Sequence, residues 1–200
     1  SKGAWVGLIV AVLVFAMYCD KRIILAMHGW RSTWARDFAP FASFWQENNC
    51  DVLYVEERGQ GKSGGDYMTF GLAERYDCID WINYLIENKD NLPIYLMGIS
   101  MGASSVLMAS GLDLPERVHG IIADCGYTSP DNIFKHVIKK TLHVPYSVNK
   151  PSIENYCKEK ISAGASEFST VEALENNKTP VLFVHGIADG FIPFRMCQEL

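Results

Sequence analysis

Ile94-Tyr95-Leu96-Met97-Gly98-Ile99-Ser100-Met101-Gly102-Ala103-Ser104-Ser105-Val106-Leu107-Met108 decides the fold. Four apolar residues of strand length run into Gly98, and Ala103, Val106, Leu107 and Met108 follow at helical spacing. A strand therefore becomes a helix within Gly98-Ile99-Ser100-Met101-Gly102, which is G-x-S-x-G in the strand, turn and helix setting of a nucleophile elbow. The chemistry explains the glycines. A serine presented at a strand end sits in a tight, strained turn, and only residues without a side chain let the flanking backbones approach. Ser100 is the predicted nucleophile; the bland alternative is a glycine-rich turn ahead of a packed helix.

Outward from this stretch, four further apolar runs have strand length: 23–27, 52–55, 120–123 and Val181–Val184. They show little polar alternation, as expected of parallel strands buried on both faces. Leu72, Tyr76, Ile79, Ile82, Leu85 and Ile86 recur at helical steps with Glu74, Arg75, Asp77 and Asp80 opposite them, and Phe38, Phe41, Phe44 and Trp45 suggest a shorter helix. Strand and helix alternate, which predicts right-handed βαβ units and a mostly parallel, doubly wound sheet with helices on both faces. Between about 127 and 177 the alternation lapses into three modest helical patterns separated by Pro145, Pro151 and Gly164. This segment is predicted to be a helical insertion over one end of the sheet.

A content of 48% hydrophobic and 20% charged residues in 200 can bury one sizeable core. The formal charge of −5 comes with no basic run, so no footprint for nucleic acid is present. Six cysteines lie far apart without a C-x-x-C pair, which argues against a structural metal site and reads as free thiols. Residues 3–19 form an apolar run of 17, at the short end of a bilayer span. Residues 1–22 are read as an apolar N-terminal segment that is either a membrane anchor or a buried element, with 23–200 as the catalytic domain.

Two more strand ends carry chemistry. His28-Gly29-Trp30 follows the strand at 23–27, where a loop amide can pair with the amide after the nucleophile to hold an oxyanion; Trp30 and Met101 are the predicted donors. His28, ahead of that turn, is given a structural role. His185-Gly186-Ile187-Ala188-Asp189 follows the strand at Val181–Val184, and an acid there agrees with the chain order Ser, Asp, His. Asp189 is the predicted acid and Asp124, after the strand at 120–123, is its rival.

Taken in order, His28-Gly29-Trp30, Arg58-Gly59-Gln60-Gly61-Lys62-Ser63, Gly98-Ile99-Ser100-Met101-Gly102 and His185-Gly186-x-x-Asp189-x-x-Ile192-Pro193 resemble bacterial α/β-hydrolases of the serine-aminopeptidase-like branch. The resemblance spans 23–200. It implies an α/β-hydrolase fold with a small helical cap, and a Ser-His-Asp hydrolase of ester, thioester or peptide bonds that needs no cofactor and no metal. The family's fold has a strand pair ahead of 23 and a histidine past the acid, so the domain is expected to be incomplete at both ends, with that histidine beyond Leu200. His119, His136, His143 and His185 do not suit the role, and the chain as given is expected to be close to inactive.

Gly59-Gln60-Gly61-Lys62-Ser63-Gly64 also spells G-x-G-x-x-G after a strand, but Glu56, Glu57 and Arg58 separate strand from glycines and no helical pattern follows at once. The sequence thus predicts a serine hydrolase acting on a small ester or acyl substrate. A non-catalytic binding protein of the same fold is the rival, and a dinucleotide-dependent enzyme ranks third.

Overall fold

The computed structural model describes residues 21–89, 91–143 and 145–200; the N-terminal segment 1–22 and its apolar run at 3–19 lie, but for Lys21 and Arg22, outside the described residues. Among the described residues no helix is long and apolar enough to cross a membrane.

The sheet is built from β1 (Arg22–Met27), β2 (Cys50–Val55), β3 (Ile94–Ile99), β4 (Val118–Asp124) and β5 (Val181–Val184). Their order is β2-β1-β3-β4-β5 and every neighbouring pair is parallel. All five apolar runs are strands, extended by up to two residues at an end. Successive side chains leave opposite faces: Leu25 and Met27 enter one core cluster, Ile24 and Ala26 the other. That is why the strands read as continuous apolar runs instead of alternating ones.

Helices cover both faces. On one side lie α1 (Trp34–Phe38), a 3-10 turn (Ala39–Phe41) and α2 (Ala42–Glu47), contributing Phe38, Phe41 and Trp45. The single helix expected around these aromatics is divided at Pro40, which supplies no N–H for a helical bond. The other side carries α3 (Glu74–Asn88) and α4 (Met101–Ala109), with Cys78, Ile82, Leu85, Val106 and Leu107 in the core.

The helical polarity of α3 departs from its sequence pattern at two positions. Tyr76, read as apolar-face, is half exposed, whereas Glu74, read as solvent-face, is fully buried. The inversion has a local cause. The Glu74 carboxylate accepts hydrogen bonds from the amides of Thr69 (2.7 Å) and Gly71 (2.8 Å) and from the Thr69 hydroxyl, so it faces inward onto the loop that precedes its helix.

Beyond β4 come α5 (Pro130–Leu142), α6 (Tyr146–Ile161) and α7 (Thr170–Glu175), then β5 and α8 (Phe194–Glu199). Ser129 and Ser169 cap α5 and α7 through their hydroxyls, accepting from Asn132 N–H at 3.1 Å and Glu172 N–H at 3.0 Å. Pro145 does lie between two helices, as the N-cap of α6, but Pro151 lies inside α6, in its second turn. α7 packs on α4, where a Cβ on Gly111 would come within 2.7 Å of the Ala173 Cα.

Candidate active site

Because all strands run the same way, every βα loop opens on one edge of the sheet. Ser100 follows β3, Asp124 ends β4, Asp189 follows β5 and Trp30 follows β1, so all four stand at the carboxyl-terminal edge.

Ser100 has φ 57° and ψ −114°, and α4 starts at the next residue. A positive φ is costly for a residue with a side chain, and the surroundings explain why it persists. The Ser100 amide donates to the Asp124 carbonyl at 2.7 Å, and the Ser104 amide donates to the Ser100 carbonyl at 3.1 Å. A Cβ on Gly98 would stand 2.2 Å from the Gly102 carbonyl oxygen, and one on Gly102 would stand 2.1 Å from that of Met27. Strand, turn and helix therefore nest at backbone contact. A Cβ on Gly29 would lie 3.2 Å from the Ser100 Cβ, so the loop after β1 abuts the same turn.

In that loop the Gly29 amide donates to Asp37 Oδ2 at 2.8 Å and the Arg31 amide to Gln60 Oε1 at 2.6 Å. Both neighbours of Trp30 are thus committed to side-chain acceptors. Met101 opens α4, where amides have no intrahelical acceptor and the helix dipole favours negative charge. His28 is fully buried, its Nδ1 2.8 Å from the Gly29 carbonyl and its Nε2 accepting from the Glu57 amide at 3.3 Å. With Glu56 Oε2 also 3.3 Å from Nε2, these contacts make it a brace of the turn.

Asp189 is held by its own loop: Oδ1 accepts from the amides of Phe191 (2.7 Å) and Ile192 (2.9 Å). His185 Nε2 lies 2.9 Å from the Ile192 carbonyl and 3.9 Å from Asp189 Oδ2. Asp124 differs. Burial pushes its carboxyl above the usual range and Asp189 adds to the effect, while the Cys125 thiol, donating to Asp124 Oδ1 at 2.8 Å, pulls the other way. The Cys125 thiol is itself pushed up, first by burial and then by Asp124. Among the described residues no histidine hydrogen-bonds Ser100.

Cys125, His185 and Asp189 have ligand-type atoms within 4.8 Å of one another. Asp189 Oδ1 is taken by backbone amides, His185 Nε2 by a carbonyl and the thiol by Asp124, while His185 Nδ1 is buried without a hydrogen-bond partner. The turn at Gly59 to Gly64 closes on itself through a Gly59 amide to Gly64 carbonyl bond of 2.9 Å, and the next helix starts only at Glu74. No helix follows these glycines directly, so the turn lacks the glycine-to-helix connection of a dinucleotide-binding turn.

The sequence reading missed the loop at 67–72. Phe70 adopts φ 54°, its ring 4.7 Å from Phe134 in an edge-to-face contact and 6.1 Å from Trp30. Thr69 and Gly71 just ahead of an acidic first helical turn were the available signal. It missed Glu57 too, which is 2% exposed with neither carboxylate oxygen hydrogen-bonded. Burial, then Glu74, Asp77 and Asp37, push its carboxyl well above the usual range.

A family model described as serine aminopeptidase, S33, matches residues 19–153. The chain is similar to an uncharacterized protein, YqkD, of Bacillus subtilis (strain 168), with 28% identity over 152 residues, 75% of this chain and 50% of that protein. It is also similar to the uncharacterized protein YfhR of Escherichia coli (strain K12), 26% identical over 163 residues, 80% and 50% of the two chains. The chain spans about half the length of these curated relatives. Among solved structures, the Pyrococcus furiosus esterase Pf2001 superposes with TM-score 0.69 at 21% identity, covering 90% of this chain and 67% of that one. Est1E from Butyrivibrio proteoclasticus, with ferulic acid bound, gives TM-score 0.68 at 18% identity, covering 91% and 76%. At these identities the structural likeness is one of fold.

Proposed function

The chain belongs to the serine aminopeptidase S33 family of α/β hydrolases, and on that premise we propose that it is the nucleophile-bearing part of a serine hydrolase that cleaves carboxylic esters through an acyl-enzyme at Ser100. Thioesters and peptides are the neighbouring substrate classes. The observation that carries the reading is the Ser100 backbone at φ 57°, flanked by two glycines, Gly98 and Gly102, whose Cβ positions are occupied by neighbouring backbone atoms. Strain of this kind is retained where the surroundings over-determine it, and presenting a hydroxyl at a strand end is such a use.

In this reading Ser100 Oγ attacks the substrate carbonyl while the amides of Trp30 and Met101 hold the developing oxyanion. Asp189, positioned by the Phe191 and Ile192 amides, orients the histidine that takes the Ser100 proton and returns it to the leaving alcohol. That histidine is assigned to the part of the protein that follows Leu200; relatives about twice as long as the matched span support this assignment. Water then repeats the sequence on the acyl-enzyme, releasing the acid. The choice of Asp189 over Asp124 is supported by geometry: Asp189 is braced by two amides of its own loop, whereas Asp124 Oδ1 is taken by the Cys125 thiol. No cofactor or metal enters the scheme, and the helices α5 and α6 are assigned as the cap.

The test uses the full-length protein with a fluorophosphonate probe and a short-chain p-nitrophenyl ester. Labelling at Ser100 and turnover abolished by Ser100→Ala are expected. If the folded full-length protein is neither labelled nor active in a Ser100-dependent way on any ester, thioester or peptide, it is a binding protein of this fold instead.

A further inference from the structure

We propose that the apolar cavity between the 67–72 loop and helices α5 and α6 seats the acyl chain of the substrate, making the protein a hydrolase of medium- to long-chain acyl esters and not an aminopeptidase. The proposal rests on Ser100 being the nucleophile.

The cavity holds about 470 Å³, within the range of pockets that take small organic ligands, roughly 300 to 1,000 Å³. Its wall is largely hydrocarbon, with Met68, Leu72, Phe134, Ile138, Ile153 and Ile161 among its lining. Three of the polar side chains on that wall are already occupied. The Thr69 hydroxyl is bonded to Glu74, the Asn149 side-chain amide donates to the Pro145 carbonyl at 3.3 Å, and Lys160 is paired with Glu159 at 2.6 Å.

This lining discriminates between the substrate classes the family allows. A peptide entering the cavity would bring N–H and C=O groups that need partners once out of water, and its terminal ammonium would need a carboxylate. Among the described residues no aspartate or glutamate lines the cavity. A methylene chain needs none of these, and each buried CH₂ contributes roughly fourfold in affinity.

The cavity is also joined to the reacting end. Phe70 lines it and packs 6.1 Å from the Trp30 ring, while its edge-to-face partner Phe134 lines it as well. Phe70, Phe134 and Met101, the residue after the nucleophile, belong to one apolar cluster. The Trp30–Phe70 contact thus links the cavity wall to the loop that abuts the Ser100 turn. Phe70 stands at the junction, and Glu74 fixes its loop by bonding the residues on either side of it.

The experiment compares p-nitrophenyl acetate, octanoate and dodecanoate with an aminoacyl p-nitroanilide, using the full-length protein. Binding of 11-(dansylamino)undecanoate to the Ser100→Ala variant is read separately by fluorescence. Ile153→Trp, which fills the cavity, should cut kcat/KM for octanoate and dodecanoate at least tenfold relative to acetate and weaken the probe at least tenfold. Ile153→Ala should move the preference towards the longer ester, which keeps the test decisive if the tryptophan variant does not fold. Ser100-dependent turnover of acetate with no gain from longer chains, an unchanged profile in a folded Ile153→Trp, or faster cleavage of the anilide than of any ester would overturn the proposal. Probe binding that Ile153→Trp removes, in a protein with no Ser100-dependent turnover, sinks the nucleophile assignment and with it the cavity's role in catalysis.

Discussion

The Trp30 indole lies nearly parallel to the Phe191 ring, with centroids 6.2 Å apart and planes 13° from each other. One ring comes from the loop after β1 and the other from the loop whose amides hold Asp189, so the stack ties the proposed oxyanion donor to the proposed acid. Removing the indole leaves the Trp30 amide in place. Trp30→Ala is therefore expected to lose about 1 kcal/mol of stability and to lower kcat/KM up to about tenfold, with Trp30→Phe restoring most of both. Urea midpoints and steady-state kinetics check this; equal losses in Trp30→Phe and Trp30→Ala would dissociate the stack from the site.

The glycines of the nucleophile turn differ sharply in the space around them. Gly98→Ala and Gly102→Ala each push a Cβ to about 2 Å from a carbonyl oxygen and should destabilise by about 1 to 3 kcal/mol or prevent folding. Gly64 has nothing within 4 Å of its Cβ position, and Gly64→Ala should stay within about 0.5 kcal/mol of the parent. Thermal denaturation of the three variants compares them directly.

The positive φ of Ser100 separates stability from activity. Ser100→Gly relieves a left-handed conformation that only glycine adopts freely, whereas Ser100→Ala keeps it. The glycine variant should melt higher than the alanine variant by a few degrees, about 1 kcal/mol, with both inactive. A glycine variant melting lower would show that the turn relaxes without its serine.

The two acids at the sheet edge are expected to behave unequally. Asp189→Asn should reduce kcat by about 10³ to 10⁴ in the full-length protein, the scale known for the third member of a triad, while Asp124→Asn costs less than tenfold. The reverse order of losses would make Asp124 the orienting acid.

Glu57 predicts the pH dependence of stability. Its folded carboxyl holds a proton to higher pH than the unfolded one does, so between the ordinary glutamate value, about 4.3, and its raised folded value the native state binds more protons. Its contribution to stability is thus full below the ordinary value and declines as pH rises through that window. Glu57→Gln should melt higher than the parent at pH 8 by about 1 to 3 kcal/mol and show a flatter profile from pH 5 upward. Parallel profiles for parent and variant would refute it.

The strands and the nucleophile turn were legible because their determinants are local. An apolar run, a Gly-x-Ser-x-Gly spacing and a following helical pattern each lie within a few residues. The inward turn of Glu74 was not legible, since helical periodicity assigns it to water and only three donors from the preceding loop reverse that. The same holds for Tyr76, whose ring lies outside under the Arg75 guanidinium, 4.8 Å away. Pro151 marks a boundary by sequence yet sits inside α6, and the split of the helix at Pro40 shows that the same residue type can act either way. The cavity under α5 and α6 is assembled from three separated segments, and no single window of sequence contains it.

The parallel register places Gly98 beside Met27 and Ala123, Ile99 beside Asp124, and Asp124 beside Val184. The chemistry is therefore addressed by counting residues along neighbouring strands. Inserting or deleting one residue inside β3, β4 or β5 shifts the rest of that strand and its loop by about 3.3 Å and turns their side chains to the other face of the sheet. Length variation between homologues should consequently collect at the opposite edge, in the connections at 111–117 and 176–180, where added residues alter the path of the chain without changing the count. Point substitutions at the proposed site can be sampled one at a time, but changes of length across these strands cannot.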